Sequence, residues 1–391
     1  MNFDLTEEQR AFQDSVRTFA ERHLAEGALA RAHQPEFPWD VAKLMADAGL
    51  FGIMLPADDG GAGGAGGTLM DAVLAMEQIA YVCPRSADVL QAGNFGAFRT
   101  FAEYATPGQK ERFFGPLLRG ETIAAVAMSE PEAGSALTEL RSACTPDGPG
   151  FRLNGGKVFT TNTEDASVFL VYCRFGPGTQ GIGSVLVERG AEGFALGKPS
   201  TYMNGETWCP LYFDNVPIPA ENVLLGEGGF RRQIAGFNVE RIGNTTRALA
   251  LALALGEYCF RQARDHAETR RQFGRTLSEF QGLQWKFAEM RVALDAAQLL
   301  LYRAATRGEG LPDAQDVAMA KYACNQAGWM AANESLQVMG GTGYSQDLLL
   351  EYCVRKTRGW MIAGGSLEVM KNRIAAEGVF GRSFSQRPAK A

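Results

Sequence analysis

Near the C-terminus, Met361–Lys371 reads MIAGGSLEVMK: two adjacent glycines, a hydroxyl and a carboxylate set in an apolar frame. Glycine allows close backbone approach to a bound molecule, so Gly364 and Gly365 mark a loop that could present its amides. In the middle of the chain, Ala127–Ser135 (AMSEPEAGS) leaves an apolar run and enters a Pro/Gly turn. Such a bend exposes N–H groups and hydroxyls suited to a phosphate or a polar ring, although an ordinary strand-end turn has the same composition. Arg270–Arg275 (RRQFGR) sets guanidinium groups beside an aromatic. That pairing suits a pyrophosphate and a flat base, and equally a solvated basic helix end. Gln337–Gly341 (QVMGG) is another turn open to close approach. Two carboxylates stand out: Glu240 in FNVERIG and Asp88 in CPRSADVLQAGNFG. Gly61–Gly66 (GAGGAG) satisfies GxGxxG. It lacks the preceding strand, the helix opening on its last glycine and any βαβ alternation, so it reads as a loop rather than a dinucleotide fingerprint.

These residues need a scaffold of some size. At 391 residues the chain suits two or three domains. Its 46% hydrophobic and 21% charged residues are those of a globular protein. A net charge of −6 gives no reason to expect nucleic acid or an anionic membrane. The N-terminal MNFDLTEEQRAFQDSVRTFA is an amphipathic helix without the apolar core of a secretory signal, and its early acids argue against a transit peptide. The run Ala248–Gly256 is too short to span a bilayer. Seven scattered cysteines without a CxxC pair read as reduced thiols, and His23, His33 and His266 share no metal-ligand spacing. A cytoplasmic, metal-free protein is expected.

Periodicity divides the chain into an α–β–α order. Residues 1–120 read as an N-terminal helical domain, with Phe12, Val16 and Phe19 at near-helical spacing and Leu69–Ala80 repeating the pattern. Residues 121–228 read as a middle β-barrel-like domain: Thr122–Met128, Val168–Arg174, Gly183–Val187 and Leu211–Phe213 are short apolar runs between Gly and Pro. Phe151–Leu153 and Lys157–Thr161 flank Asn154-Gly155-Gly156, a hairpin-type turn sequence. Residues 229–391 return to helix, with Arg241–Thr269, Glu279–Arg307 and Asp313–Met339 as long segments. The alternating ALALALAL has a strand's period, but Ala and Leu are strong helix formers and no turn signal bounds it, so it is read as helix.

Taken together and in order, these motifs resemble the acyl-CoA dehydrogenase family, whose members use FAD to desaturate an acyl-CoA thioester between its α and β carbons. The resemblance covers nearly the whole chain and implies that fold, ending in a C-terminal four-helix bundle. It implies that Met128 and Ser129 contact the isoalloxazine ring and that Ser135 faces the CoA chain. Phe159 stands where the family often has Trp, and Thr161 takes the role of the Thr beside the flavin. Arg270, Phe273 and Gln281 fall in the segment that reaches FAD from a neighbouring subunit. Gln337, Gly340 and Gly341 form the matching turn, and Ser366 and Glu368 occupy cofactor positions in the C-terminal loop. Ala136, where the family usually has Asp, and Ala376, where some members have Arg, depart from the pattern.

Dehydrogenation needs a carboxylate near the α carbon and a polarised thioester carbonyl. Many members carry the carboxylate just before the Gly-Thr/Ser pair of the C-terminal loop; here that position is Gly364, followed by Gly365. The family's backbone N–H donor to the carbonyl survives this loss. Glu240 matches the alternative position used by isovaleryl-CoA and some long-chain members, which likewise lack the loop Glu. It also reads as an acid in a first helical turn, favoured by the helix dipole. Beside it, Asn238 and Arg241 match positions on the substrate's CoA side. Asp88 lies in a segment that lines the family's acyl pocket, where it would select a polar or cationic acyl group or act as a second base; it also reads as a solvated loop residue. The resemblance further implies a homotetramer, with electron transfer flavoprotein as the reoxidant. Alternatives on the same fold are a lyase or desulfinase, an enoyl-CoA reductase, or a non-catalytic FAD- or acyl-CoA-binding subunit of a heteromer. Relatives that desulfinate lack both carboxylates, so Glu240 argues against the desulfinase.

Overall fold

The computed structural model describes residues 4–57, 66–227, 230–306 and 312–384, without the side chains of 99–100 and 230–248. Among the described residues seven helices come first: α1 (Glu7–His23), α2 (Ala28–Ala32), α3 (Trp39–Asp47), α4 (Leu69–Val82), α5 (Pro84–Ala92), α6 (Gly96–Tyr104) and α7 (Pro107–Leu118). Nine strands follow: β1 (Ile123–Ala127), β2 (Ala143–Asp147), β3 (Gly150–Thr161), β4 (Ala166–Arg174), β5 (Ile182–Glu188), β6 (Phe194–Leu196), β7 (Ser200–Thr201), β8 (Thr207–Ile218) and β9 (Val223–Leu225). Helix α8 (Phe230–Thr269) leads into a small hairpin of β10 (Arg271–Gln272) and β11 (Arg275–Thr276). The chain closes with α9 (Gln281–Thr306), α10 (Ala314–Met339), α11 (Gly341–Tyr344), α12 (Leu350–Trp360) and α13 (Leu367–Arg373). The expected order of helical, β and helical segments is thus present.

Local chemistry accounts for the element starts. Thr6, Thr68 and Thr106 each form a capping box at the head of α1, α4 and α7, satisfying amides that a helix leaves without partners. Asp313 does the same for α10 by accepting from Gln315 and Asp316.

The chain divides into two compact units, one comprising Met1–Gln34, Thr68–Asp88 and Asn244–Ala391, the other Pro35–Gly67 and Val89–Gly243. In the first, α10 packs against α9, α12 and α13, and α1 against α4. The alternating Ala/Leu run is helical, and every residue from Leu249 to Leu255 is buried. An apolar residue on every face is what a fully enclosed helix requires, which explains the misleading period of two. Helices α8 and α10 touch through glycine: a Cβ on Gly256 would lie 2.7 Å from Gly328 Cα, and one on Gly328 would strike the Ala252 carbonyl.

The second unit is built on a sheet of order β6-β8-β3-β2-β4-β5-β9, with β1 added parallel to β4 and β7 paired with β8. One expectation is corrected. Asn154-Gly155-Gly156 is not a hairpin turn but lies inside the single strand β3, and the turn falls at Asp147–Gly150. Gly155 is required there for another reason. Its φ is +138°, at a register shift against β8, and a Cβ would sit 2.5 Å from Ser142 Oγ. A bulge at a close backbone approach gives the same composition as a turn. Of the tract Gly61–Gly66, all but Gly66 lies outside the described residues.

Candidate active site

In the β-rich unit the candidate residues sit on one hydrogen-bonded frame. Strand β1 ends at Ala127, so Met128 and Ser129 fall on the exit turn. The Ser129 carbonyl accepts from the Val158 amide at 2.9 Å. The fully buried Lys157 donates to the Met128 carbonyl at 3.1 Å and to Glu130 Oε1 at 2.7 Å. Glu130 also accepts the amides of Arg141 and Ser142, at 2.6 and 2.9 Å. Burial works to raise the Glu130 pKa, but Lys157 and the Arg141 amide outweigh it and hold the carboxyl below the usual range; burial in turn pushes Lys157 down. This ion pair fixes the turn carrying Met128 and Ser129, and sequence reasoning missed it although both partners lie inside the motifs singled out.

The neighbouring strand is irregular where it matters. Between Lys157 and Thr160 the β3–β8 register shifts, and Phe159 takes φ +58° with 60% of its surface exposed. Its ring lies 4.7 Å from that of Trp208. A non-glycine residue in the left-handed region costs of order 1–3 kcal/mol, and such strain concentrates at binding sites. The adjacent Thr160 hydroxyl is buried without a hydrogen-bond partner among the described residues. Thr161 pairs with Trp208 across the sheet, and Ser135 is exposed on its bend.

In the helical unit, the loop between α12 and α13 is fastened from beneath by α10. Lys321 and Asn325, one turn apart on α10, are both fully buried. Lys321 Nζ donates to the Ala363 carbonyl at 2.6 Å, and Asn325 Nδ2 donates to the Trp360 carbonyl. Gly364 and Gly365 follow with φ of +70° and +98°. Ser366 then caps α13, accepting from the Val369 amide at 3.4 Å. Glu368 is exposed, and bonds to its own amide and to Ser366 hold its carboxyl below the usual range.

Gln337, Gly340 and Gly341 lie exposed at the end of α10, where Gly340 has φ +59° and a Cβ on either glycine would meet nothing within 4 Å. Arg270 directly follows α8 and Gln281 begins α9, both exposed. Between them Phe273 stands at the hairpin tip with φ +51° and 93% exposure. Arg275 lies not over Phe273 but over Phe280, 4.0 Å from its centroid.

Asp88 is not the solvated loop residue that the sequence allows. It lies on α5, 8% exposed, with Lys356 Nζ at 2.7 Å and Arg85 Nη1 at 3.1 Å. A carboxylate holding two cations in a protein interior is anchored. Glu240, Asn238 and Arg241 lie on α8, and their side chains are outside the described residues. A further acid escaped the sequence reading: Glu77 on α4 is buried, accepts from Tyr302 Oη at 2.9 Å, and is pushed up by burial to about 7. Nothing in LMDAVLAMEQIA distinguishes it from a surface acid.

The fold and these motifs agree with the comparisons. Models of the acyl-CoA dehydrogenase N-terminal, middle and C-terminal domains match residues 6–121, 125–216 and 227–379. The chain is 32% identical to a short-chain-specific acyl-CoA dehydrogenase of Clostridium acetobutylicum, covering 92% of this chain and 94% of that one. It is 30% identical to a 3-sulfinopropanoyl-CoA desulfinase of Paraburkholderia xenovorans, over 98% and 99% of the two chains. Among solved structures, one described as electron transferring flavoprotein of Acidaminococcus fermentans matches with a TM-score of 0.87 at 30% identity, over 97% and 99%. The FAD complex of PigA matches with a TM-score of 0.88 at 25% identity, over 96% and 98%.

Proposed function

The chain belongs to the acyl-CoA dehydrogenase family of oxidoreductases, and from that premise we propose that it dehydrogenates an acyl-CoA thioester to the trans-2-enoyl-CoA, with Glu240 as the base. FAD is its cofactor. The residues present fit such a group: the strained, exposed Phe159 beside Trp208 offers an aromatic surface, and Gly340 and Gly341 leave room for a backbone to approach. When bound, FAD supplies at N5 the acceptor for the β-hydride.

The observation that carries the reading is the C-terminal loop. Gly364 brings no carboxylate yet keeps its amide, in a loop fixed at Trp360 and Ala363. That leaves the α-proton to Glu240, while the Gly364 N–H is assigned to the thioester oxygen, where its bond strengthens as enolate charge develops. Met128, Ser129, Phe159, Thr161, Gln337, Gly340, Gly341, Ser366 and Glu368 are assigned to the cofactor, with Arg270, Phe273 and Gln281 reaching it from a neighbouring subunit. Ser135, Asn238, Arg241 and Gly365 are assigned to the substrate. Asp88, anchored by Lys356 and Arg85, would bear on the acyl group through the helix it holds. We keep the division into domains at 1–120, 121–228 and 229–391, a homotetramer, electron transfer flavoprotein as reoxidant, and a cytoplasmic setting. Among the described residues no helix is long and apolar enough to cross a membrane.

The test is anaerobic mixing of the flavin-loaded protein with straight, branched, aromatic and polar acyl-CoAs. Bleaching by one class is expected, slowed by about 10²–10⁴-fold in Glu240→Gln with FAD retained. No bleaching by any saturated thioester would sink the proposal. A second reading rests on the desulfinase relative; release of sulfite from 3-sulfinopropanoyl-CoA, with no bleaching by saturated thioesters, would select it.

A further inference from the structure

Lys321 is a long polar side chain with no exposed surface, on a helix whose buried face is rich in alanine, and it reaches the C-terminal loop that the proposed chemistry depends on. A buried lysine is costly unless its donors are used, and a methionine would fill the same space without that cost. Its Nζ lies 2.6 Å from the Ala363 carbonyl oxygen. That oxygen and the Gly364 N–H belong to the same planar amide. Donation to the oxygen draws density from the nitrogen through amide resonance, which makes the N–H a stronger donor on the far side. Bonds from a charged donor are roughly twice as strong as neutral ones, so the effect is larger for an ammonium than for a neutral group. The placement is close: a Cβ on Gly364 would stand 3.1 Å from Lys321 Nζ. Asn325, one turn further along α10, holds the Trp360 carbonyl and so fixes the start of the loop.

We propose that Lys321 is a positioning and polarising residue: through the Ala363–Gly364 peptide it strengthens the hydrogen bond that the Gly364 amide gives to the thioester carbonyl. This rests on the reading, made above, that the Gly364 N–H bonds that oxygen. The predicted consequence is a change in how readily a bound thioester enolises, separate from how tightly it binds.

The probe is acetoacetyl-CoA, a 3-oxoacyl thioester whose enolate absorbs in the near ultraviolet, titrated with pH on the FAD-loaded protein; no redox step is involved. The bound ligand of the wild type is expected to enolise at lower pH than free acetoacetyl-CoA. In Lys321→Met the midpoint should rise by about one unit, a roughly tenfold loss in the enolisation equilibrium, with affinity for the ligand at low pH unchanged. Lys321→Arg, which keeps a charged donor, should recover part of the shift. If Lys321→Met does not retain FAD, Lys321→Gln is judged by the same midpoint. A midpoint equal to that of the wild type overturns the relay while leaving the dehydrogenase reading intact. A wild type that binds the probe without lowering its midpoint overturns the Gly364 donor, and the relay with it.

Discussion

Replacing Glu77 by glutamine isolates the energetic effect of one buried acid. The side chain is 1% exposed, and burial lifts it from the ordinary value near 4.5 to about 7, against the opposing bonds from Tyr302 and Gln298. Because the folded value is the higher, the folded chain holds a proton between those two pH values that the unfolded chain has already lost. Stability therefore falls as pH rises through this window, and the full penalty is present above it. At about 1.4 kcal/mol per unit, the separation corresponds to about 3 kcal/mol. Glutamine keeps an oxygen for the Tyr302 hydroxyl, 2.9 Å away, and cannot ionise. Glu77→Gln should match the wild type below about pH 4 and exceed it by up to about 3 kcal/mol near pH 8, a difference of several degrees in thermal midpoint. The assay is the midpoint of both flavin-loaded proteins followed across that range. Parallel curves would refute the reasoning, since they would mean that Glu77 loses its proton in the fold as readily as in the unfolded chain.

Two further perturbations test the framework of the site. Lys157→Met leaves Glu130 as an uncompensated charge and should cost about 3–5 kcal/mol in denaturant unfolding, with much of the loss recovered in the double variant Lys157→Met/Glu130→Gln; a double variant no better than the single would show that the lysine acts by packing alone. Phe273→Ala removes a ring that is 93% exposed, so monomer stability should change by less than about 0.5 kcal/mol. FAD retention should nevertheless fall, measured by dialysis and residual flavin absorbance, and unchanged retention would remove this residue from the cofactor assignment.

How far the sequence speaks depends on the range of the signal. Capped, periodic helices such as α1 and α10 are local events, and their limits are readable from Thr6 or Asp313 with the residues that follow. The motif turns at Met128 and Gly364 are legible because resemblance supplies what periodicity cannot. The hairpin misreading at Asn154-Gly155-Gly156 shows the limit of local signals, since the glycine answers to Ser142, just ahead of the neighbouring strand β2. The Lys157–Glu130 pair, the grip of Lys321 on Ala363 and the burial of Asp88 between Arg85 and Lys356 are likewise invisible in one dimension. Arg85 and Asp88 are three residues apart, but Glu130 and Lys157, Ala363 and Lys321, and Asp88 and Lys356 are distant in the chain, and the charged members, read singly, look like surface residues.

Where α8 crosses α10, Gly256 and Gly328 bring the two backbones into contact, and Leu294 closes the space beside them, 3.3 Å from a Cβ on Gly256. A lineage carrying this chain cannot change either glycine by a single step to alanine, because the smallest side chain already requires the helices to part. Parting them would disturb the enclosed run Leu249–Leu255 and move α10 beneath Trp360 and Ala363. Drift in these helices is therefore channelled to the positions around the crossing. The loop above α10 is carried along unaltered.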